Sequence, residues 1–425
     1  MSTEPPQPTW TAEQIARLWD GHDLQALLNE RSRGLAAGSG TDWGTGGAAA
    51  PRVPSISLGG GIPDPATLPR AALLRAAERA LAVDDDEPLR YGGAFGSAAL
   101  REALARRARL EGCDVGAEHF MLANGAAGAI DAVCSALVQP GDVVLCEAPT
   151  FMGTIRTFRG HGAEVIGLPM DGEGIDVDAV AAQLTRLRRE GRRVPLIYVI
   201  ANFHNPTGIR MSTARREALV RVAAQHASFV LVDDAYAAIA FDDESVVSPW
   251  GLTGGRGVII AGSFSKSIAT GLRVGWIQAE PALLEAIARM RFDMGGSALL
   301  HGMLAEFMAS GEFDAHVEQM RPLYARKAET LASALMEFAE PYVTLVRPRG
   351  GFFLWVRLRD GLSAAAVQQA AAEEGASFPL GRGFYPDRND PEEHIRLAYS
   401  WTALDDLREV ATRIGRACER VAAGR

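Results

Sequence analysis

The amino-acid sequence predicts an α/β protein: a large domain on a mostly parallel sheet covered by helices, followed by a smaller α+β domain. Three features predict it. From about residue 51, short runs rich in Val, Ile and Leu alternate with helical runs, the pattern of strands buried beneath helices on both faces of their sheet. A long helix-rich stretch, 281–338, then interrupts that alternation. After it come GFFLWVRL, a helix near 363–374 and HIRLAYSW, which suit a second, smaller sheet.

Taken in chain order, residues 1–50 read as an N-terminal arm. Thr11 is placed to cap a helix over roughly 12–37, with Ile15, Leu18, Trp19, Leu24, Leu27 and Leu28 at near-helical spacing. The stretch GSGTDWGTGGAAAP reads as a flexible linker. The apolar runs follow: VVLCE (143–147), EVIGLP (164–169), PLIYVI (195–200), FVLVDD (229–234), GVIIAGSFS (257–265) and RVGWIQA (273–279). Helices are expected between several of them, at 126–138 and 213–227 among others.

The 425 residues supply ample material for a core. With 43 basic against 52 acidic side chains the formal charge is −9, which argues against a nucleic-acid surface, because phosphate binding needs concentrated positive charge. Arginines in the runs 101–109 and 186–193 read as solvated helix faces. Cys113, Cys134, Cys146 and Cys418 are far apart with no CxxC spacing, so buried structural thiols are expected rather than a disulfide framework or a metal site. No apolar run approaches the roughly 20 residues of a membrane span. With no signal pattern at the polar, Pro-rich N-terminus, a cytoplasmic location is expected.

Three segments carry candidate chemistry. In GSFSKSIATGLRVGW (262–276), Lys266 directly follows an apolar strand, among Ser263 and Ser265, with Arg273 seven residues later. A loop lysine is ordinarily a solvated surface residue. At the end of a buried strand, where open α/β sheets bind ligands, a desolvated amine loses its proton readily and can attack a carbonyl. The two hydroxyls and the arginine supply what a phosphate monoester needs. NFHNPTGIRMS (202–212) follows the apolar run 195–200 and is alternatively a plain Asn-Pro turn. VDDAYAAIAF (232–241) sets Asp233 and Tyr236 at another strand end, where the carboxylate is alternatively a helix cap.

Together and in this order, these segments resemble the fold-type I aminotransferases of class I/II, which depend on pyridoxal 5′-phosphate. The likeness spans about 53–416. The ISLGGGIPDP loop and the SFSK segment resemble the 2-aminoadipate/kynurenine/aromatic branch. The resemblance implies the aspartate-aminotransferase-like fold, with seven strands in the large sheet. It implies an entrance segment over 51–75 that joins the small domain, a large cofactor-binding domain over 76–314 and a small domain over 315–425. It also implies a homodimer whose partners are small molecules, an α-amino acid and a 2-oxo acid. Carried over residue by residue, Lys266 holds the cofactor as a Schiff base and Asp233 pairs with the pyridine nitrogen. Tyr236 and Asn205 bond the ring's phenolic oxygen. Ser263, Ser265, Arg273 and the amides of Gly125, Ala126 and Ala127 hold the phosphate, since a helix N-terminus favours an anion. Phe151 stacks on the ring, and Tyr91 reaches the phosphate across the dimer interface. Arg396 grips the substrate α-carboxylate, and backbone at Gly60 or Gly61 lies beside the substrate, as does Asn205. Plain alternatives stand beside some of these: Phe151 as core, Tyr91 as a turn residue, the glycines as an ordinary loop.

The chain departs from the pattern at Asn202, Phe203 and His204 ahead of the NPTG, at Thr270 where a proline is common, and at His301 where glutamine is common. The phosphate-side segment NGAAGAID also lacks the usual hydroxyl and glutamine. Transamination is the first expectation. A specialised enzyme that uses the same carbanion for β- or γ-elimination or replacement, cyclisation, oxidation or decarboxylation is the alternative, motivated by Asn202, His204 and His301. A transcription regulator carrying an aminotransferase-like domain fits less well, because the first 50 residues are too short and too little basic for a winged helix.

Overall fold

The large sheet has seven strands in the order Phe120–Ala123, Gly275–Gln278, Val258–Ser263, Phe229–Asp233, Leu196–Val199, Val143–Glu147 and Glu164–Leu168. The protein is seen here as a computed structural model that describes residues 10–29, 54–82, 86–359 and 361–424. The five strands from Val258–Ser263 to Glu164–Leu168 run parallel, and Gly275–Gln278 runs antiparallel to both of its neighbours. Six of the seven were expected. The edge strand Phe120–Ala123 was not, because four residues followed by Asn-Gly carry too little periodicity to stand out.

Alternation along the strands explains why both faces are covered. Val230 and Val232 belong to the apolar core on one face, whereas Leu231 belongs to the core on the other. Every residue of Leu196–Val199 and Val258–Ser263 is buried, as a sheet with helices on both sides requires. The parallel strands therefore end at one edge, which receives Glu147, Asp233 and Ser263. Ligands bind at this edge in open α/β sheets.

A second, antiparallel sheet orders Val343–Leu345, Phe353–Leu358 and His394–Ala398. Ile395 and Leu397 enter its core together with Leu354, Val356 and residues of the helices Ala364–Glu373 and Leu404–Ala422. Arg396, between them, faces the opposite side by the two-residue period of a strand. The helix Glu312–Phe338 runs across the domain boundary expected at 314/315.

The chain divides into two compact units, Met1–Gly38 and Ser39–Arg425. In the first, Thr11 caps Ala12–Trp19 in a capping box with Gln14, as anticipated. The expected helix to residue 37 is corrected: it stops at Trp19, where Asp20 turns extended and Gly21 adopts φ +91°. A short 3₁₀ turn, Leu24–Leu27, follows. Residues 30–37 and the glycine-rich linker lie outside the described residues.

All four cysteines are free and buried, and burial pushes each thiol above its ordinary value. Among the described residues no helix is long and apolar enough to cross a membrane.

One glycine sits where two backbones meet beneath the strand edge. A Cβ on Gly275 would lie 2.5 Å from the Gly262 carbonyl oxygen and 2.6 Å from the Gly125 carbonyl carbon. Neither can swing aside as a side-chain end would. Gly275→Ala is expected to cost about 2 kcal/mol or more, read as a lower denaturation midpoint; an unchanged midpoint would refute the packing described.

Candidate active site

Lys266 lies three residues beyond the end of Val258–Ser263. Its Nζ donates to the Gly61 carbonyl at 2.6 Å and stands 5.9 Å from the centre of the Tyr236 ring. Loss of water around the amine, then the Arg396 guanidinium, lower it to about 8, against the opposing pull of Asp233. An amine so placed is a usable nucleophile and base near neutral pH. A Cβ on Gly61 would fall 2.3 Å from Phe353 Cζ, so the glycine lets its carbonyl come this close to the lysine.

Asp233 ends the strand Phe229–Asp233 and is only 7% exposed. Its Oδ2 accepts from the Tyr198 hydroxyl at 2.9 Å. Its Oδ1 is buried and has no hydrogen-bond partner. Burial pushes the carboxyl up to about 6, with the Tyr198 donor holding it down. A buried carboxylate oxygen without a donor is costly, and a ring N–H is the kind of group that would complete it.

Tyr236 follows three residues later, buried, with its ring edge-on to Phe352 and Phe353. Burial raises its phenol above the ordinary value, opposed by Arg396, and the Asn205 side chain hydrogen-bonds it. Asn205 Oδ1 also accepts from Arg396 Nη1 at 3.1 Å. Arg396 is 2% exposed, lies between the rings of Phe353 and Phe384, and donates through Nη2 to the Gly59 carbonyl. A guanidinium has five N–H donors, and Nε has no partner here. Burial holds this guanidinium down to about 10, so a carboxylate arriving beside it would regain much of the lost solvation.

An anion cradle forms where the helix Gly125–Leu137 begins. Its N-cap, Asn124, makes no side-chain capping bond, which leaves the first amides to other partners. Arg273, in the left-handed conformation at φ +53°, donates to the Asn124 carbonyl at 3.2 Å and approaches Ser265 Oγ at 3.5 Å. Ser263 Oγ donates to Ser265 Oγ at 2.8 Å. Gly125 has φ +72°, and a Cβ there would meet Arg273 Nη2 at 3.0 Å. The absence of a side chain keeps amide and cation together.

Lys266, Asp233, Tyr236, Asn205, Arg396 and Gly61 thus form one connected cluster, and Ser263, Ser265, Arg273 and Gly125 form the adjoining cradle, with Ala126 and Ala127 in the same first helical turn. Phe151 is half-buried at the start of Met152–Gly160, its ring over Gly153. Gly60 adjoins Gly61 in the segment that touches both Lys266 and Arg396. Tyr91 joins none of these groups within the chain: it is 83% exposed.

The two unusual histidines belong to the interior. His204 and His301 are each 1% exposed. His204 Nδ1 pairs with the Thr207 hydroxyl at 2.9 Å, and its Nε2 lies 3.0 Å from Glu147 Oε2, off the axis of a good hydrogen bond. Burial, then Arg291, lower His301 to about 4, so it is neutral. Asn202 donates to Asp234 at 2.7 Å and accepts from the buried Arg216 at 2.6 Å. Their positions favour a structural role, which removes the motive for chemistry other than transamination. Sequence reasoning missed Tyr198 and its neighbour Thr154: a tyrosine within PLIYVI reads as core, and nothing local marks its hydroxyl.

A phosphorylated, nitrogen-containing aromatic aldehyde fits this constellation. The cradle suits its phosphate, the orphaned Oδ1 its protonated nitrogen, and the lowered amine its aldehyde. Comparison with known proteins agrees. Residues 54–414 match the family described as aminotransferase class I and II. The chain is 30% identical over 365 residues to the aromatic-amino-acid aminotransferase 1 of Thermococcus litoralis, covering 84% of this chain and 87% of that one. It is 32% identical over 367 residues to the 2-aminoadipate transaminase of Thermus thermophilus, covering 85% and 89%. Among solved structures, the α-aminoadipate aminotransferase of Thermus thermophilus, complexed with N-(5′-phosphopyridoxyl)-L-leucine, superposes with a TM-score of 0.80 at 31% identity, covering 87% of this chain and 94% of that one.

Proposed function

The chain belongs to the aminotransferase class I and II family, and from that premise we propose that its site moves an amino group between an α-amino acid and a 2-oxo acid, with pyridoxal 5′-phosphate bound at Lys266. The observation that carries this reading is the buried Asp233 Oδ1 without a partner, beside an amine lowered to about 8. When bound, the cofactor supplies an electron-withdrawing ring that stabilises the carbanion left when an amino acid loses its Cα proton.

The residues divide the remaining work. Asp233 holds the positive charge on the ring nitrogen, while Asn205 and Tyr236 hold the ring's phenolic oxygen. Ser263, Ser265, Arg273 and the amides of Gly125, Ala126 and Ala127 bind the phosphate, and Phe151 covers the ring face. Arg396 takes the substrate α-carboxylate through Nε and its remaining Nη hydrogens, and backbone at Gly60 and Gly61 borders the substrate. Lys266 Nζ would then take the Cα proton as base and deliver it as acid to the former aldehyde carbon, the one that keeps the nitrogen.

We further propose a large cofactor-binding domain at 76–314, a small domain at 315–425 and an entrance segment at 51–75. The protein works as a cytoplasmic homodimer, and the exposed Tyr91 of each protomer reaches the partner's phosphate. A relative named for aromatic amino acids and one named for 2-aminoadipate support amino acids with long or aromatic side chains as donors.

Mixing purified protein with a panel of amino acids and 2-oxoglutarate should yield the paired oxo acid and glutamate. Consumption of the amino acid without a paired oxo acid would overturn the reading. Arg396→Lys should raise KM for the amino acid by about ten- to a hundredfold with a smaller change in kcat, because a point charge replaces a planar fork. An unchanged KM in steady-state kinetics would remove Arg396 from carboxylate binding.

A further inference from the structure

Behind Asp233 lies a hydrogen-bond chain to which the reading above gives no task. Tyr198 is fully buried and pairs in register with Leu231 on the neighbouring strand. Leu231 and Asp233 project to the same face, two residues apart, so the phenol reaches Asp233 diagonally. The Tyr198 hydroxyl donates to Oδ2 at 2.9 Å, and Thr154 Oγ1 lies 3.1 Å from the same phenol oxygen. Proton directions follow from the chemistry. An ionised carboxylate only accepts and a phenol carries one hydrogen, so the Thr154 hydroxyl donates to Tyr198 and Tyr198 donates to Asp233. Phe158 meets the Tyr198 ring edge-on at 5.4 Å and holds it in place. Thr154 is on the helix that Phe151 opens, which joins the ring-covering aromatic to the carboxylate through two side chains.

Resting on the proposed cofactor chemistry, we infer that Tyr198 is a positioning residue which, backed by Thr154, clamps Asp233 Oδ2 so that Oδ1 stays ionised and aimed at the ring nitrogen. Tyr198 donates to Asp233, the nearby Ala235 amide and Lys266 favour its charge, and burial and Asp234 oppose that charge. Burial, then the negative charge of Asp233, hold the phenol well above its ordinary value. It therefore stays a donor at any working pH. A chain of donors in a dry interior is also stronger than its links taken singly. Removing the phenol hydroxyl deletes a charge-assisted bond and shifts Asp233 toward its neutral form, which offers the ring nitrogen no anion.

The test uses the intact protein reconstituted with cofactor labelled with ¹⁵N in the ring. Tyr198→Phe keeps the shape of the side chain, so the cofactor should still bind and colour the protein. The ring-nitrogen resonance should move from the protonated toward the unprotonated range, and kcat should fall about ten- to a hundredfold with KM nearly unchanged. Thr154→Val should move both readouts the same way by less, and Thr154→Ser should restore them. A protonated ring nitrogen and near wild-type kcat in Tyr198→Phe, or in Thr154→Val should the first variant not fold, would overturn the inference. Failure of the unsubstituted protein to take up the cofactor would instead overturn the functional reading.

Discussion

Replacing Lys266 by alanine is expected to abolish covalent cofactor attachment and to lower turnover at least about 10⁴-fold, because both proposed roles, attachment and proton transfer, fall on one amine. The purified variant should be colourless, or bind cofactor that passes through a desalting column. Retained visible absorption after gel filtration would show that another amine serves. The lowered basicity of Lys266 adds a pH signature. Below about 8 the amine is mostly protonated and must shed that proton to attack an aldehyde. In cofactor-free protein, the rate of colour development should therefore rise about tenfold per pH unit below 8 and level off above it. A rate flat from pH 6 to 9, measured by stopped flow, would contradict the environment described for Lys266.

The second large effect is expected at Asp233. Asp233→Asn keeps size and polarity but removes the charge, so on the proposed pairing the ring nitrogen should lose the anion that keeps it protonated. Turnover should drop at least about a thousandfold, the scale of losing one partner of a buried charge pair. Unlike Lys266→Ala, this variant should still be coloured. Its stability should move the other way. The folded carboxyl, at about 6, holds its proton more tightly than the unfolded chain does at about 4. This group alone therefore makes the cofactor-free fold less stable as pH rises from about 4 to about 6, and leaves it strained above that range. Cofactor-free Asp233→Asn should melt no lower than the unsubstituted protein at pH 8. A clear drop in its melting temperature would show that the charge stabilises the fold.

Much of this site was legible in the sequence because its chemistry sits in unusual residue types at strand ends. A lysine after GSFS and a carboxylate closing FVLVDD are conspicuous against apolar strands, and an arginine inside HIRLAYSW would be costly to bury without purpose. Tyr198 offered no such contrast, since an aromatic residue in a strand is ordinary core. The short strand Phe120–Ala123 and the end of the first helix at Trp19 escaped for a related reason. Four residues hold too little periodicity to read, and the apolar spacing continued past a break that Gly21 imposes through its backbone.

What the sequence determined by itself is local: buried strands alternating with helices, and the residue types at their carboxyl ends. Tertiary structure decided which of those residues meet. Tyr198 reaches Asp233 across 35 positions only because two strands adopt one register. Arg396 reaches Asn205 across 191 positions because the small sheet turns that face away from its own core. The physical reason is that periodicity is written in neighbouring residues, whereas register and the choice of buried partner come from packing the whole core at once.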